Sequence, residues 1–154
     1  MNIVTETPTG EFLPVQTDVP RCFVCGPDNP SGLKLRFRKE GETALSAEFT
    51  APEDWTGWGR MLHGGFHGLL LDEIMSWVVW GLMGVKAFVT REMTVSYLRP
   101  VYVDCPLVIF GFLVEDGGRD IIVRGEIRDA DGTVLSESRG VITRINPERM
   151  KSML

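Results

Sequence analysis

A histidine and two glycines, His63-Gly64-Gly65, stand where a loop gives way to the most apolar stretch of the chain. Glycines at a helix start leave the backbone N–H groups open to close approach by a ligand. These N–H groups lack partners within the helix and lie at the positive end of its dipole. The pattern therefore suits a carbonyl oxygen that becomes negative during attack, although a helix start that only needs tight packing would share it.

An aspartate follows on one face of the same predicted helix. At about 100° per residue, Gly65, Gly68, Asp72 and Ser76 fall within one narrow sector, so that small residues form a groove with a carboxylate part-way along it. A charge is costly to bury among leucine, isoleucine and tryptophan side chains. This favours a general base or nucleophile at Asp72 over a structural acid whose hydrogen bonds are all satisfied.

Glu73 is the competing carboxylate. It points about 100° away from Asp72, towards Leu69, Trp77 and Trp80, so the two acids cannot act on the same substrate atom. A salt bridge to an arginine across the sheet, or a subunit interface, would account for Glu73. Its small neighbours make Asp72 the preferred catalytic residue.

The cysteine pair Cys22 and Cys25 has the spacing of half a zinc site. A complete site needs about four ligands, and the chain offers only Cys105 and two histidines besides. A redox role is less favoured because no βαβ pattern follows the pair. No cofactor and no metal are therefore predicted, and the thiols are expected to be reduced.

The composition limits the classes of function. A chain of 154 residues with 44% hydrophobic and 24% charged residues predicts one domain with a real core. The net charge of −5 argues against nucleic acid or an anionic membrane surface as a partner. Only twelve uncharged residues run from Ile74 to Val85, against about 20 for a membrane span, and the N-terminus lacks a signal-peptide pattern. A cytoplasmic protein is expected.

The elements around the helix are predicted to be strands. Residues 1–20 are expected to form a loosely ordered arm, and residues 21–154 the domain. A half-buried strand over Leu33–Arg38 turns at Gly41-Glu42 into Ala44–Thr50, and the helix that starts near His63 ends at Gly81 and Gly84. Four strands follow, over Phe88–Leu98, Leu107–Glu115, Ile121–Arg128 and Thr133–Ile145. Short connections make the sheet largely antiparallel, an α+β class.

Three blocks of sequence, taken together, point to a family. They are CFVCGPDNPSGL at Cys22–Leu33, the His63-Gly64-Gly65 triplet with Leu70–Glu73, and TVSYLRP at Thr94–Pro100. In this order they resemble the phenylacetic-acid-type and 4-hydroxybenzoyl-CoA-type branches of the hotdog-fold acyl-CoA thioesterase superfamily. The resemblance implies a curved sheet wrapped around one central helix. It also implies a homodimer, or a homotetramer built as a dimer of dimers, with active sites at the subunit interface.

The resemblance also implies roles for single residues. The N–H of Gly64, after the motif histidine His63, would polarise the thioester carbonyl. Asp72, nine residues after the histidine, would be the catalytic carboxylate, and a hydroxyl at Thr90 would assist. Related enzymes often carry an Asn or Gln before the histidine, which residues 55–60 lack. Thr56 or the other subunit would supply that group, or catalysis would be weak.

Three hypotheses follow for function. The first is hydrolysis of an acyl-CoA, the second a non-catalytic module that binds acyl-CoA or lipid, and the third a dehydratase or hydratase of the same fold. Because the chain is acidic, coenzyme A phosphates would need local cations, for which Lys86 is one candidate. The residues predicted to contact substrate are Gly65, Gly68, Ser76, Glu73, Thr56, Arg60, Arg91 and Arg99.

Overall fold

The computed structural model describes residues 8–154. Six strands form one sheet in the order β1-β2-β4-β5-β6-β3, and every neighbouring pair is antiparallel. The elements are β1 (Arg38–Lys39), β2 (Ala44–Thr50), a 3-10 turn (Glu53–Trp55), α1 (Gly64–Trp77), β3 (Phe88–Tyr97), β4 (Pro106–Asp116), β5 (Asp120–Arg128), β6 (Val134–Arg144) and α2 (Pro147–Met153). The predicted α+β class with an antiparallel sheet around one long helix is confirmed.

The core lies between α1 and the concave side of the sheet. Leu70, Leu71, Ile74 and Met75 of the helix are fully buried, and the helix contacts β4 and β5 most extensively. Burying side chains of this size contributes about 1.5–3 kcal/mol each. The helix predicted in the most apolar stretch of the chain is therefore the centre of the core.

Glycines let the helix approach the sheet closely. Gly111 of β4 and Gly125 of β5 are register partners in the ladder. A Cβ atom on Gly111 would lie 2.9 Å from Ile74 Cγ1, and one on Gly125 would lie 3.0 Å from Leu71 Cδ2. Glycine inside a strand weakens the sheet. The close packing of α1 against Gly111 and Gly125 explains why these two positions lack a side chain.

The helix ends in the region that the sequence predicts. The α-helical part gives way to a π-helical turn over Val78–Leu82, and Gly84 follows with a φ of +70°. No helix within residues 8–154 is long and apolar enough to cross a membrane. Beyond the predicted elements, α2 begins at Pro147, and the side chain of Asn146 caps it by accepting from Glu148 N–H at 2.8 Å. That cap followed by proline is a helix-start signal that was present in the sequence.

The predicted strand over Leu33–Arg38 is wrong except at its last residue. The N–H groups of Leu33 and Leu35 donate to the carbonyls of Phe23 and Val24, at 2.9 and 2.8 Å. Burial still alternates along this segment because one side covers the core. The segment is hydrogen-bonded to a loop and not to a second strand. Its alternating sequence therefore reflects a half-buried extended chain that is not part of a β-ladder.

Part of the predicted N-terminal arm lies against this segment. The N–H of Leu13 donates to Phe37 O at 2.8 Å, and the side chain of Gln16 is buried. Residues 1–7 lie outside the described part of the chain. The loose order of residues 1–20 and the boundary at Pro20 stay predictions.

A bulge in β3 sets the direction of its side chains. Thr90 pairs with Ile142 and Glu92 with Val141, so Arg91 has no partner across the ladder. Without this extra residue, Thr90 and Met93 would point to opposite faces, because side chains alternate along a strand. With it, both are half-buried, and Thr90 reaches α1.

Candidate active site

The start of α1 presents one free backbone donor. The ring Nδ1 of His63 accepts from the N–H of Gly65 at 3.0 Å, so His63 caps the helix and occupies that donor. The carbonyl of Gly64 accepts from the hydroxyl of Tyr97 at 3.0 Å. Within residues 8–154 the N–H of Gly64 has no acceptor. Of the two predicted glycine donors, only Gly64 is available to a ligand.

A cavity of about 680 Å³ opens at this donor. It is lined by residues 56–58, 61–64 and 97–101, and by His67. Thr56, the predicted substitute for the missing amide, forms part of the wall and is held there by an antiparallel bridge to Leu62. The free N–H therefore faces a space large enough for a small acyl group.

Asp72 and Thr90 meet on the open side of α1. The hydroxyl of Thr90 donates to Oδ1 of Asp72 at 2.8 Å, and both side chains are half-buried. This contact brings together two of the predicted catalytic residues. Asp72 is not in the wall of the cavity at Gly64, because eight residues of α-helix separate the two along the axis by about 12 Å.

The groove of small residues is open to the surface. A Cβ atom on Gly68 would contact only Met93 Cε, at 3.7 Å, which is an ordinary van der Waals distance. Packing within the chain therefore does not require a glycine there. Ser76, predicted to continue this groove, lines a separate cavity of about 130 Å³ together with Glu73. The predicted stripe is thus divided between two sites.

The predicted cations differ in their surroundings. Arg60 and Arg91 are each paired with an aspartate, at 3.3 and 3.2 Å. Lys86 lies over the ring of Trp80. Arg99 lines the cavity at the helix start and forms no ion pair within the described residues. Arg99 is therefore best placed to meet an anionic ligand in that cavity.

Glu73 lies with the cysteine pair. Its Oε1 and Oε2 are 3.7 and 3.8 Å from Cys22 Sγ, and Oε1 accepts from Trp77 Nε1 at 3.2 Å. Helix geometry predicts the direction towards Trp77, but no arginine within the described residues pairs with this carboxylate. Burial raises the pKa of Glu73 to about 7.

The two thiols have opposite environments. A hydrogen bond from Cys25 lowers the pKa of Cys22 to about 5. The same bond, with burial, raises the pKa of Cys25. Their sequence spacing signals a paired function, but Glu73 lies far along the chain from both, and only the fold joins the three.

His67 is a site residue that the sequence left without a role. It is buried, its Nδ1 lies 3.0 Å from the hydroxyl of Ser136, and burial lowers its pKa. It lies one turn after His63 and borders the same cavity. The spacing of four residues between His63 and His67 could have indicated that both lie on the same face of α1.

Comparisons with known proteins identify the family. The family model of the thioesterase superfamily matches residues 59–136, half of the chain. A candidate esterase of Saccharolobus solfataricus is 29% identical over 93 residues, which are 60% of this chain and 66% of that protein. The crystal structure of a thioesterase superfamily protein is 29% identical with a TM-score of 0.73, and it covers 80% of this chain and 60% of its own. The match spans less than two thirds of both relatives.

More distant structures share the fold. A Streptococcus pneumoniae hypothetical thioesterase protein, solved with coenzyme A, is 20% identical with a TM-score of 0.66, and the match covers 73% of this chain and 86% of that one. The PaaI protein of the Escherichia coli phenylacetic acid degradation operon is 19% identical with a TM-score of 0.67, over 74% and 81% of the two chains. The sheet around one helix is thus the hotdog fold, and this chain belongs to the thioesterase superfamily.

Proposed function

We propose that this protein hydrolyses the thioester bond of an acyl-CoA. The observation that carries the proposal is the pairing of Asp72 with Thr90 on the open face of a helix whose first N–H, at Gly64, has no acceptor among residues 8–154. These are a fixed carboxylate and a fixed donor of the kinds that acyl transfer needs. Membership of the thioesterase superfamily supports the same reaction class.

The reaction divides between these groups. Asp72 acts as general base, taking a proton from the attacking water, or as nucleophile, forming an anhydride that water then hydrolyses. The N–H of Gly64 stabilises the oxyanion that forms on the carbonyl. Breakage of the C–S bond releases coenzyme A, whose sulfur takes up a proton, and leaves the carboxylic acid. Thr90 holds the carboxylate of Asp72 in place.

The complete site uses two subunits. Within one chain, Gly64 and Asp72 are about 12 Å apart along the helix, whereas both must come within about 3 Å of the reacting atoms. Gly64 of one subunit and Asp72 of the partner subunit therefore act on one thioester. The open face at Gly68 and the edge position of β3 in the sheet support a dimer that is formed on this side.

Arg99 binds the anionic part of coenzyme A. It lines the cavity at Gly64 without an ion pair within the described residues, and in a chain of net charge −5 phosphates need such a local cation. The coenzyme A in the S. pneumoniae structure supports this class of ligand. The three free thiols suit a reducing, cytoplasmic setting.

One observation favours a second candidate, a module that binds acyl-CoA without turnover. Residues 55–60 supply no amide side chain to place the water, and the cavity wall there offers the hydroxyl of Thr56 instead. In this case Asp72 would have a structural role.

The deciding measurement is release of free thiol from short, medium, long and aromatic acyl-CoAs. Wild type is expected to turn over at least one class. Asp72→Asn, which keeps an acceptor for Thr90, is expected to lose at least about 100-fold in kcat/KM. The matched control, Glu73→Gln, changes the adjacent carboxylate in the same way and is expected to lose less than about tenfold.

Each other outcome has a distinct meaning. No turnover of any acyl-CoA by wild type rejects the hydrolase. If acyl-CoA also binds equally well to wild type and Asp72→Asn, the binding module replaces it. A large loss in Glu73→Gln but not in Asp72→Asn would assign the catalytic carboxylate to Glu73.

A further inference from the structure

Cys22, Cys25 and Glu73 form a cluster that the thioesterase chemistry does not use. Their ligand atoms, the two Sγ atoms and a carboxylate oxygen, all lie within 4.8 Å of one another. We propose that they bind one Zn²⁺ ion through three protein ligands, with the fourth position facing the adjacent cavity. Glu73 directs this site to a different face of α1, about 100° around the helix from Asp72.

The spacing of the ligand atoms fits a tetrahedral ion. Zn–S and Zn–O bonds of about 2.3 and 2.0 Å at a tetrahedral angle place sulfur and oxygen about 3.5 Å apart. The carboxylate oxygens of Glu73 lie 3.7 and 3.8 Å from Cys22 Sγ. A shift of a few tenths of an ångström therefore completes this part of the coordination shell.

The loop that carries the cysteines is held in a tight turn. The N–H of Gly26 donates to the carbonyl of Cys22 at 2.9 Å. A Cβ atom on Gly26 would lie 2.5 Å from the carbonyl oxygen of Pro20, so only glycine fits there. The turn thus directs Cys22 and Cys25 to one point before any ligand binds.

Further side chains orient the ligands. The amide of Gln16, which is buried, donates to Cys25 Sγ at 3.4 Å. The indole N–H of Trp77 donates to Glu73 at 3.2 Å. Donors of this kind hold metal ligands in position in known sites, and removing them weakens metal binding by about 10–100-fold.

The chemistry of the donors selects the ion. Two thiolates favour zinc over magnesium or calcium, which prefer oxygen ligands alone. When Zn²⁺ binds, it replaces the thiol protons, which leave to solvent, and it offsets the negative charge of Glu73. No lysine or arginine within residues 8–154 does so by an ion pair.

The fourth position points into the cavity of about 130 Å³ that Ser76, Trp80 and Phe88 help to line. A water molecule occupies about 30 Å³, so the cavity has room for a water molecule as the fourth ligand. The ion would fasten the turn at residues 22–26 to α1, one residue from the catalytic Asp72.

The test measures metal binding directly. Full-length protein is kept reduced with a phosphine, stripped with a chelator, and titrated with Zn²⁺ against a chromophoric competitor. Co²⁺ in place of Zn²⁺ is expected to give the visible bands of a tetrahedral site and a sulfur-to-cobalt charge-transfer band. We expect one Zn²⁺ per chain and a rise in Tm on binding.

Variants locate the site. Cys22→Ser and Glu73→Gln, which keep the side-chain shapes, are expected to weaken Zn²⁺ binding by more than about 100-fold, beyond the loss for an outer residue. Cys105→Ser, at the exposed third cysteine, is the matched control and is expected to bind as wild type does. Circular dichroism checks that each variant is folded.

Two results would overturn the proposal. One is a wild-type protein with three titratable thiols that takes up no Zn²⁺. The other is affinity unchanged in Cys22→Ser or in Glu73→Gln. None of these measurements uses thioester turnover, so failure here leaves the proposed hydrolase standing, and the reverse also holds.

Discussion

Two neighbouring carboxylates on α1 are in opposite environments. Asp72 lies on the open face, where its one side-chain partner within the described residues is the hydroxyl of Thr90. Glu73, about 100° around the helix, lies against Trp77 and the two cysteines, and burial raises its pKa. Helix periodicity alone separates the two acids, and the elements packed against each face decide what each can do.

The comparison shows how one helix serves two sites. On the open face, small residues leave room for a substrate or a second subunit. On the covered face, Glu73 is enclosed by the Cys22 turn and aromatic rings. Changes on the open face should therefore alter turnover, whereas changes on the covered face should alter stability and metal binding.

The largest effect is expected at the free N–H of the open face. Gly64→Pro removes this donor, and proline is tolerated at the first helical position when the preceding residue is extended, as His63 is with a ψ of 134°. Loss of one oxyanion donor costs about 100- to 1000-fold in kcat. Steady-state hydrolysis of the preferred acyl-CoA measures it.

Gly64→Ala is the matched control because it keeps the N–H. Its Cβ atom would lie 3.4 Å from the Tyr97 ring, so a modest change in KM is the expected result. If alanine and proline reduced kcat equally, the donor would have no role and shape alone would explain the glycine.

A smaller loss is expected at Thr90. Thr90→Val keeps the β-branched shape but removes the hydrogen bond to Asp72. Weaker positioning of the carboxylate should reduce kcat by about tenfold, equivalent to about 1.4 kcal/mol in the barrier. Thr90→Ser should restore most of the rate. A variant with wild-type kcat would show that the Asp72 carboxylate needs no partner.

The sequence indicated more of the residues on the open face of α1 than of those on the covered face. Asp72 could be chosen from helical periodicity because its small neighbours share one α-helix. Thr90 came only from the family resemblance, since its direction depends on the bulge at Arg91, which no local pattern reveals. Likewise, Cys22 and Cys25 have the spacing of half a zinc site, but no metal was predicted, because Glu73 belongs to a distant helix and was not counted among the possible ligands. Contacts within one element follow from its period, whereas contacts between elements need the fold.

Two glycine substitutions compare the open face of α1 with its buried contact to the sheet, through their effects on the free energy of unfolding. Gly68→Ala places a Cβ atom at an ordinary van der Waals distance from Met93, and alanine is favoured over glycine in a helix by about 0.5–1 kcal/mol. Gly111→Ala, in β4 where the sheet packs against α1, would force a Cβ atom to 2.9 Å from Ile74 and should cost about 1–3 kcal/mol. Urea unfolding at low protein concentration measures both.

Measurements at several protein concentrations distinguish the effect of Gly68→Ala on the folded monomer from its effect on self-association. If Gly68→Ala stabilises the dilute protein but weakens self-association in light scattering, a second copy covers this face. If it destabilises the dilute chain, the face is not open in the monomer, and the proposed dimer surface is wrong.

The smallest effect concerns the buried imidazole of α1. Burial lowers the pKa of His67 from its ordinary value of 6.5, so the folded state favours the neutral ring and the unfolded chain binds the proton more readily. The contribution of His67 to stability is therefore present above pH 6.5 and is lost as the pH falls below it. His67→Gln, which keeps a polar partner for Ser136, should flatten this part of the curve in urea titrations between pH 5 and 8. A slope unchanged by His67→Gln would mean that folding does not shift the pKa of His67, and the expected effect of its burial on stability would be wrong.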